Sequence, residues 1–156
     1  MQWRNPKTTG KPGGLSFDAD ALARAEAALQ SLSGEFEKWM GEDVERMTAA
    51  RLAARQTNYA EPAMLALFST THDIKGLGST YNYPLATLIA ASLCKLIETP
   101  AGRDRARARP AVVEAHVDAI RAAYHAQIKT GDHPVGRELL AELNGHVALL
   151  TADLAT

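Results

Sequence analysis

From Asp18 to about Gln56, apolar residues return every three or four positions: Leu22, Ala25, Leu29, Leu32, Phe36, Trp39, Met40, Val44 and Met47. Alanine, glutamate and arginine fill many of the places between them, and all three favour helix. The spacing predicts one long amphipathic helix or two in line. Unbroken, at 1.5 Å per residue, it would run about 58 Å. Either it overhangs or it breaks, and Ser33-Gly34 is where a break would fall, because both residues disfavour a helix interior and stand between two better halves.

Prolines then open each following segment, in the first turn, where a helix loses no hydrogen bond to them. Pro62 opens a helix to about Tyr81. Pro84 opens a second through Leu85, Leu88, Ile89, Ala91, Ser92, Leu93, Leu96 and Ile97, ending at Thr99 before Pro100 and Gly102. Apolar nearly all round, this one is expected at the centre. Pro110 opens a third with Val112, Val113, Val117, Ile120, Tyr124 and Ile128 as its stripe, closed near Lys129 to Gly131. The last runs from about Pro134 through Leu139, Leu140, Leu143, Val147, Leu150 and Leu154. No segment alternates with period two. The expected class is all-α: an antiparallel four-helix bundle with an additional N-terminal helix or helix extension. Residues 1–16 are rich in proline, glycine and basic residues and read as a flexible N-terminal tail, with a single helical domain over 17–156.

Composition narrows the function. The chain has 156 residues, 46% of them hydrophobic, enough for one core and too few for two comfortable domains. A formal net charge of -1 argues against nucleic acid, whose binders usually present a strongly basic face. The single cysteine, Cys94, excludes an internal disulfide, and Met1 to Phe17 lacks the apolar core of a signal peptide. The longest apolar run, Leu88 to Cys94, is far shorter than the roughly 20 residues that span a bilayer. The expected location is cytoplasmic, with no membrane partner. The stripe from Leu22 to Leu32 can pack on the bundle, overhang it or pair with a second chain, so a monomer and a dimer through the N-terminal helix both remain open.

His72-Asp73-Ile74-Lys75-Gly76-Leu77-Gly78-Ser79 is the stretch that carries candidate chemistry. On the helix from Pro62, the residues Met64, Leu67, Thr71, Ile74, Gly78 and Tyr81 form a buried seam, and His72 lies off it. Its own face holds Leu65, Phe68, Ser69, Lys75, Gly76 and Ser79, a mixture of apolar, small and basic residues that suits the docking of another protein. A neutral imidazole is a nitrogen nucleophile and can accept a phosphoryl group. Lys75 would offset its negative charge, while Gly76 and Ser79 would leave a partner room to approach. Asp73 points about 100° away round the helix and is expected to be solvated. No glycine-rich nucleotide loop appears, so self-phosphorylation from ATP is not expected. His116, His125, His133 and His146 lack metal-ligand spacing and read as structural or surface residues, and Cys94 reads as core. The run Arg103 to Arg109 reads as a basic loop between helices that could attract an acidic partner surface.

His72, Lys75 and Gly76 stand in an H-x-x-K-G pattern, followed by a helix end and an apolar helix containing Leu93-Cys94. In this the chain resembles the histidine-containing phosphotransfer (Hpt) domains of bacterial and fungal phosphorelays. That family commonly has glycine ten residues after the histidine. Here Asn82 takes the place, a residue that also enters the left-handed conformation ending many helices. The resemblance implies a helical hairpin that presents His72 to the receiver domain of a response regulator. It implies a sensor histidine kinase as a further partner, no cofactor on this chain, and magnesium and catalysis supplied by the receiver domain. Two other readings stay open: a helical interaction module that modulates a kinase or regulator without being phosphorylated, and a catalytic bundle using His72 as general base. Ser92 or Lys95 of the following helix is a candidate to reach toward the His72 ring.

Overall fold

Proline stands in the first turn of five of the six helices in the structure, a computed structural model that describes residues 18–154. The helices are α1 (Ala19–Gln56), α2 (Glu61–Leu77), α3 (Pro84–Ile97), α4 (Pro100–Ala108), α5 (Pro110–His125) and α6 (Pro134–Thr151). Among the described residues there is no strand, and the fold is an all-α helical bundle. The tail expected at 1–16 lies outside the described residues.

Of the two readings of the first segment, the single long helix holds, since α1 runs unbroken through Ser33-Gly34. One interior glycine costs only about 1 kcal/mol against alanine, and the alanine-rich stretch before it supplies the propensity to absorb that. The chain divides into a unit ending at Glu35 and a second unit from Phe36. In the first, every residue from Leu22 to Glu35 is exposed, including Leu22, Leu29 and Leu32.

The second unit is organised round α3. Nine of its fourteen residues are buried, and it touches α2, α4, α5 and α6. Met40, Val44 and Met47 of α1, Met64, Leu67 and Ile74 of α2, and Val113, Val117 and Ile120 of α5 belong to the same core. The departure from the expected helices is α4. Pro100 starts a helix here rather than ending one, because the Thr99 hydroxyl accepts from the Gly102 amide at 3.0 Å and satisfies the first turn. α4 therefore turns through 101° from α3. Three of the four arginines expected in a basic loop lie on this helix and are paired within the fold, while Arg109 stands just beyond its end and is exposed. Arg103 is buried and donates to Glu61 and to the Ile97 carbonyl, Arg105 binds Asp153, and Arg107 binds Asp104, Glu61 and the Tyr59 carbonyl. These three do not form a free cationic surface.

Two polar clusters fasten the helices. Glu114 on α5 accepts from Arg51 at 2.7 Å, Arg55 at 2.6 Å and Tyr59 at 2.5 Å, which ties the end of α1 to α5. These bonds hold Tyr59 in a left-handed backbone conformation (φ 60°) that costs a non-glycine residue energy. Tyr83, fully buried, donates to Glu37 at 2.6 Å, with Lys129 4.9 Å from its ring centroid. Inside the core, His116 has Nδ1 2.7 Å from the Val112 carbonyl and Nε2 3.0 Å from the Ser92 hydroxyl. The carbonyl requires a proton on Nδ1, so in the neutral ring Nε2 accepts from Ser92.

The Glu114 cluster and the buried His116 each have a pH signature. Burial opposes ionisation of Glu114, but the bonds from Arg55, Tyr59 and Arg51 outweigh it and hold the carboxyl below its usual range. The unfolded chain thus takes up the proton first as pH falls. The stabilisation is complete above about pH 4.3 and is lost below it. Glu114→Gln should cost about 2 kcal/mol at neutral pH and flatten the acid slope, measured by urea unfolding. For His116, burial pushes the imidazole down. The unfolded chain again binds the proton first, so stability present above about pH 6.5 falls as pH drops through that value. Thermal melts between pH 7.5 and 5.5 should show this slope in wild type and a shallower one in His116→Gln.

Candidate functional site

His72 sits on the exposed side of α2, one turn before the helix ends at Leu77. The seam expected beneath it is real: Met64, Leu67, Thr71, Ile74 and Gly78 are buried, with the Thr71 hydroxyl bonded to the Leu67 carbonyl at 2.8 Å. Tyr81 is half-buried and lies beyond the helix, in the turn that joins α2 to α3. Leu65, Ser69, Lys75, Gly76 and Ser79 are exposed on the histidine's side, and Phe68 is half-buried against the core. The Phe68 and His72 rings lie 5.7 Å apart, one helical turn from each other, so the phenyl ring flanks the imidazole on the side toward the helix start.

The ring nitrogens that make hydrogen bonds among the described residues belong to His116 and His133, not to His72. Ser92, a candidate to orient the His72 ring, is instead bonded to His116 inside the core. Lys95 is exposed on α3. Lys75 makes no ion pair among the described residues. It lies near enough to Cys94 to draw that thiol down, although burial dominates and pushes it up to about 11, so Cys94 stays protonated. Among the described residues no three His, Cys, Asp or Glu side chains are placed to hold a metal ion, and no helix is long and apolar enough to cross a membrane.

The two glycines of the stretch differ in kind. A Cβ at Gly76 would meet nothing within 4 Å, so no packing inside the chain requires glycine there. A Cβ at Gly78 would strike the Thr87 hydroxyl of α3 and come within 2.9 Å of the Ile74 carbonyl. Gly78 is the point at which α2 and α3 close together. Ser79 bonds Thr87 at 3.3 Å, so its hydroxyl belongs to the same closure as much as to the exposed face. Thr87 escaped the sequence reading, although a lone hydroxyl in the first turns of an apolar helix was its signal. The turn itself ends as expected, with Asn82 left-handed at φ 71° and the Tyr83 amide bonded to the Gly78 carbonyl at 2.7 Å.

Gly76→Ala should raise stability by about 0.5 to 1 kcal/mol, since it adds helix propensity and meets open space. Gly78→Ala should lower it by about 1 to 3 kcal/mol by overpacking the closure. Thermal or urea melts of the pair check both signs. Comparison of the chain with protein-family models, with curated proteins and with solved structures finds no match among any of them.

Proposed function

We propose that the chain is a histidine phosphotransfer protein of a two-component phosphorelay. It accepts a phosphoryl group on His72 from a receiver-domain aspartate or a sensor kinase and passes it to a response regulator. The observation that carries this reading is the exposed trio His72, Lys75 and Gly76, in which the glycine weakens the helix and has no internal contact to justify it. An approaching second protein supplies the missing reason. In the transfer a ring nitrogen of His72 attacks phosphorus, the N–P bond forms as the aspartyl P–O bond breaks, and the electron pair leaves on the aspartate carboxylate. Lys75 offsets charge on the phosphoryl oxygens. Leu65 and Phe68 give the receiver an apolar contact beside the imidazole, and Ser69, Gly76 and Ser79 keep the rest of the face low. The receiver contributes magnesium and the acidic residues that bind it, so this chain acts as carrier rather than enzyme.

The test is incubation with a panel of phosphorylated receiver domains, following acid-labile, base-stable label on the protein. Wild type should become labelled and His72→Gln should not. Label on the variant, or none on wild type with any donor, would overturn the carrier reading, and the second result would favour a non-phosphorylated interaction module. Lys75→Ala should slow transfer about tenfold, the loss of one charge-assisted contact. Its stability should shift by less than about 0.5 kcal/mol, since Lys75 is exposed. Gly76→Phe should keep the fold and block docking, read as lost transfer with an unchanged melt.

A further inference from the structure

The first unit leaves an apolar stripe uncovered. Leu22, Ala25, Leu29 and Leu32 return every three or four residues and so share one face of α1. The three leucines are 56%, 66% and 46% exposed. A helix of this length is marginal in water by itself, because helices in proteins draw most of their stability from packing an amphipathic face. The face therefore calls for a cover, and the charges beside it say which. Between Asp18 and Glu35, Arg24 is the only cation. Glu35 follows it by 11 residues, three turns and about 20°, so both stand on the same edge of the stripe. About 16 Å of helix separates them, too far to pair within one chain. No ion pair among the described residues uses either. Glu26 and Ser33 share the opposite edge.

We propose that the stripe is the seam of a homodimer, covered by the same stripe of a second copy packed antiparallel about a two-fold axis. When Leu29 of one copy lies level with the partner's Leu32, the axis repeats the contact and two leucine layers form the centre. Each edge then faces the same edge of the other copy, running the opposite way. Arg24 comes within about 3 Å, along the axis, of the partner's Glu35, and this pair forms twice. Glu26 falls beside the partner's Ser33 rather than beside a carboxylate. A parallel pair in register would set Ala25 against the partner's Ala25, which underfills that layer, and would hold Arg24 and Glu35 three turns apart. The charge pattern thus selects a second copy and its direction.

The test is sedimentation velocity on the full chain, from micromolar to half-millimolar concentration. Wild type should dimerise with a Kd on the order of tens of micromolar, as suits a seam of about one and a half heptads. Leu29→Glu should weaken the dimer about tenfold or more by placing a charge in the seam. Its melt at low concentration, where wild type is monomeric, should be unchanged, because Leu29 is exposed in the single chain. Arg24→Glu and Glu35→Arg should each weaken the dimer several-fold, and the two together should restore it, since the exchanged charges pair again across the axis. A chain still monomeric at half-millimolar concentration would overturn the proposal and leave the stripe to a different protein. So would a dimer indifferent to Leu29→Glu, or a double variant no tighter than the single ones. The measurement involves no phosphoryl transfer, so its failure leaves the reading of His72 untouched.

Discussion

A helix that is apolar nearly all round has to be enclosed, and the enclosure of α3 is the constraint from which the rest of the second unit follows. Leu85, Ile89, Leu93, Leu96 and Ile97 are removed from water only when other helices surround them. α2, α4, α5 and α6 do so. The enclosure also buries Ser92, whose hydroxyl then needs a partner, and His116 supplies it from α5. A buried hydroxyl on this mostly apolar helix thus meets the buried histidine of α5. His72, the histidine of α2, stands on the outside of the helix that packs most closely against α3.

The close approach of α2 to α3 has a second consequence. Gly78 permits it, Asn82 turns the chain back in a left-handed conformation, and Pro84 starts the return. These residues build the hairpin, and they say nothing about phosphoryl chemistry. The chemistry, as proposed, belongs to His72, Lys75 and Gly76, which the hairpin presents but does not use. That separation explains why two glycines two residues apart carry opposite expectations for stability.

Charge is distributed by the same logic of enclosure. Where helix ends converge, arginines and carboxylates meet in partly dry surroundings and fasten one helix to another: Glu114 with Arg51 and Arg55, Glu61 with Arg103 and Arg107. Buried Asp43 likewise pairs with Arg46 one turn along α1.

The all-α class, five of the six helices and most of their boundaries were legible in the sequence, because period and first-turn prolines are local signals. So was the exposure of His72, which follows from helical phase against the seam from Met64 to Gly78. The α4 helix was hidden: Pro100 and Gly102 read as terminators, and only the Thr99 cap and the burial of Arg103 against Glu61 make a helix of the arginine run. The continuity of α1 through Ser33-Gly34 was equally hidden, since a 1 kcal/mol local penalty does not say whether its neighbours absorb it. The partnership of Ser92 with His116, 24 residues apart, and the meeting of Trp39 with Tyr81 depend on how helices pack across the core. Sequence alone determines what each turn of helix prefers and which face is apolar. Which polar groups meet across the interfaces is decided by tertiary packing, because those contacts join residues whose separation along the chain carries no periodic signal.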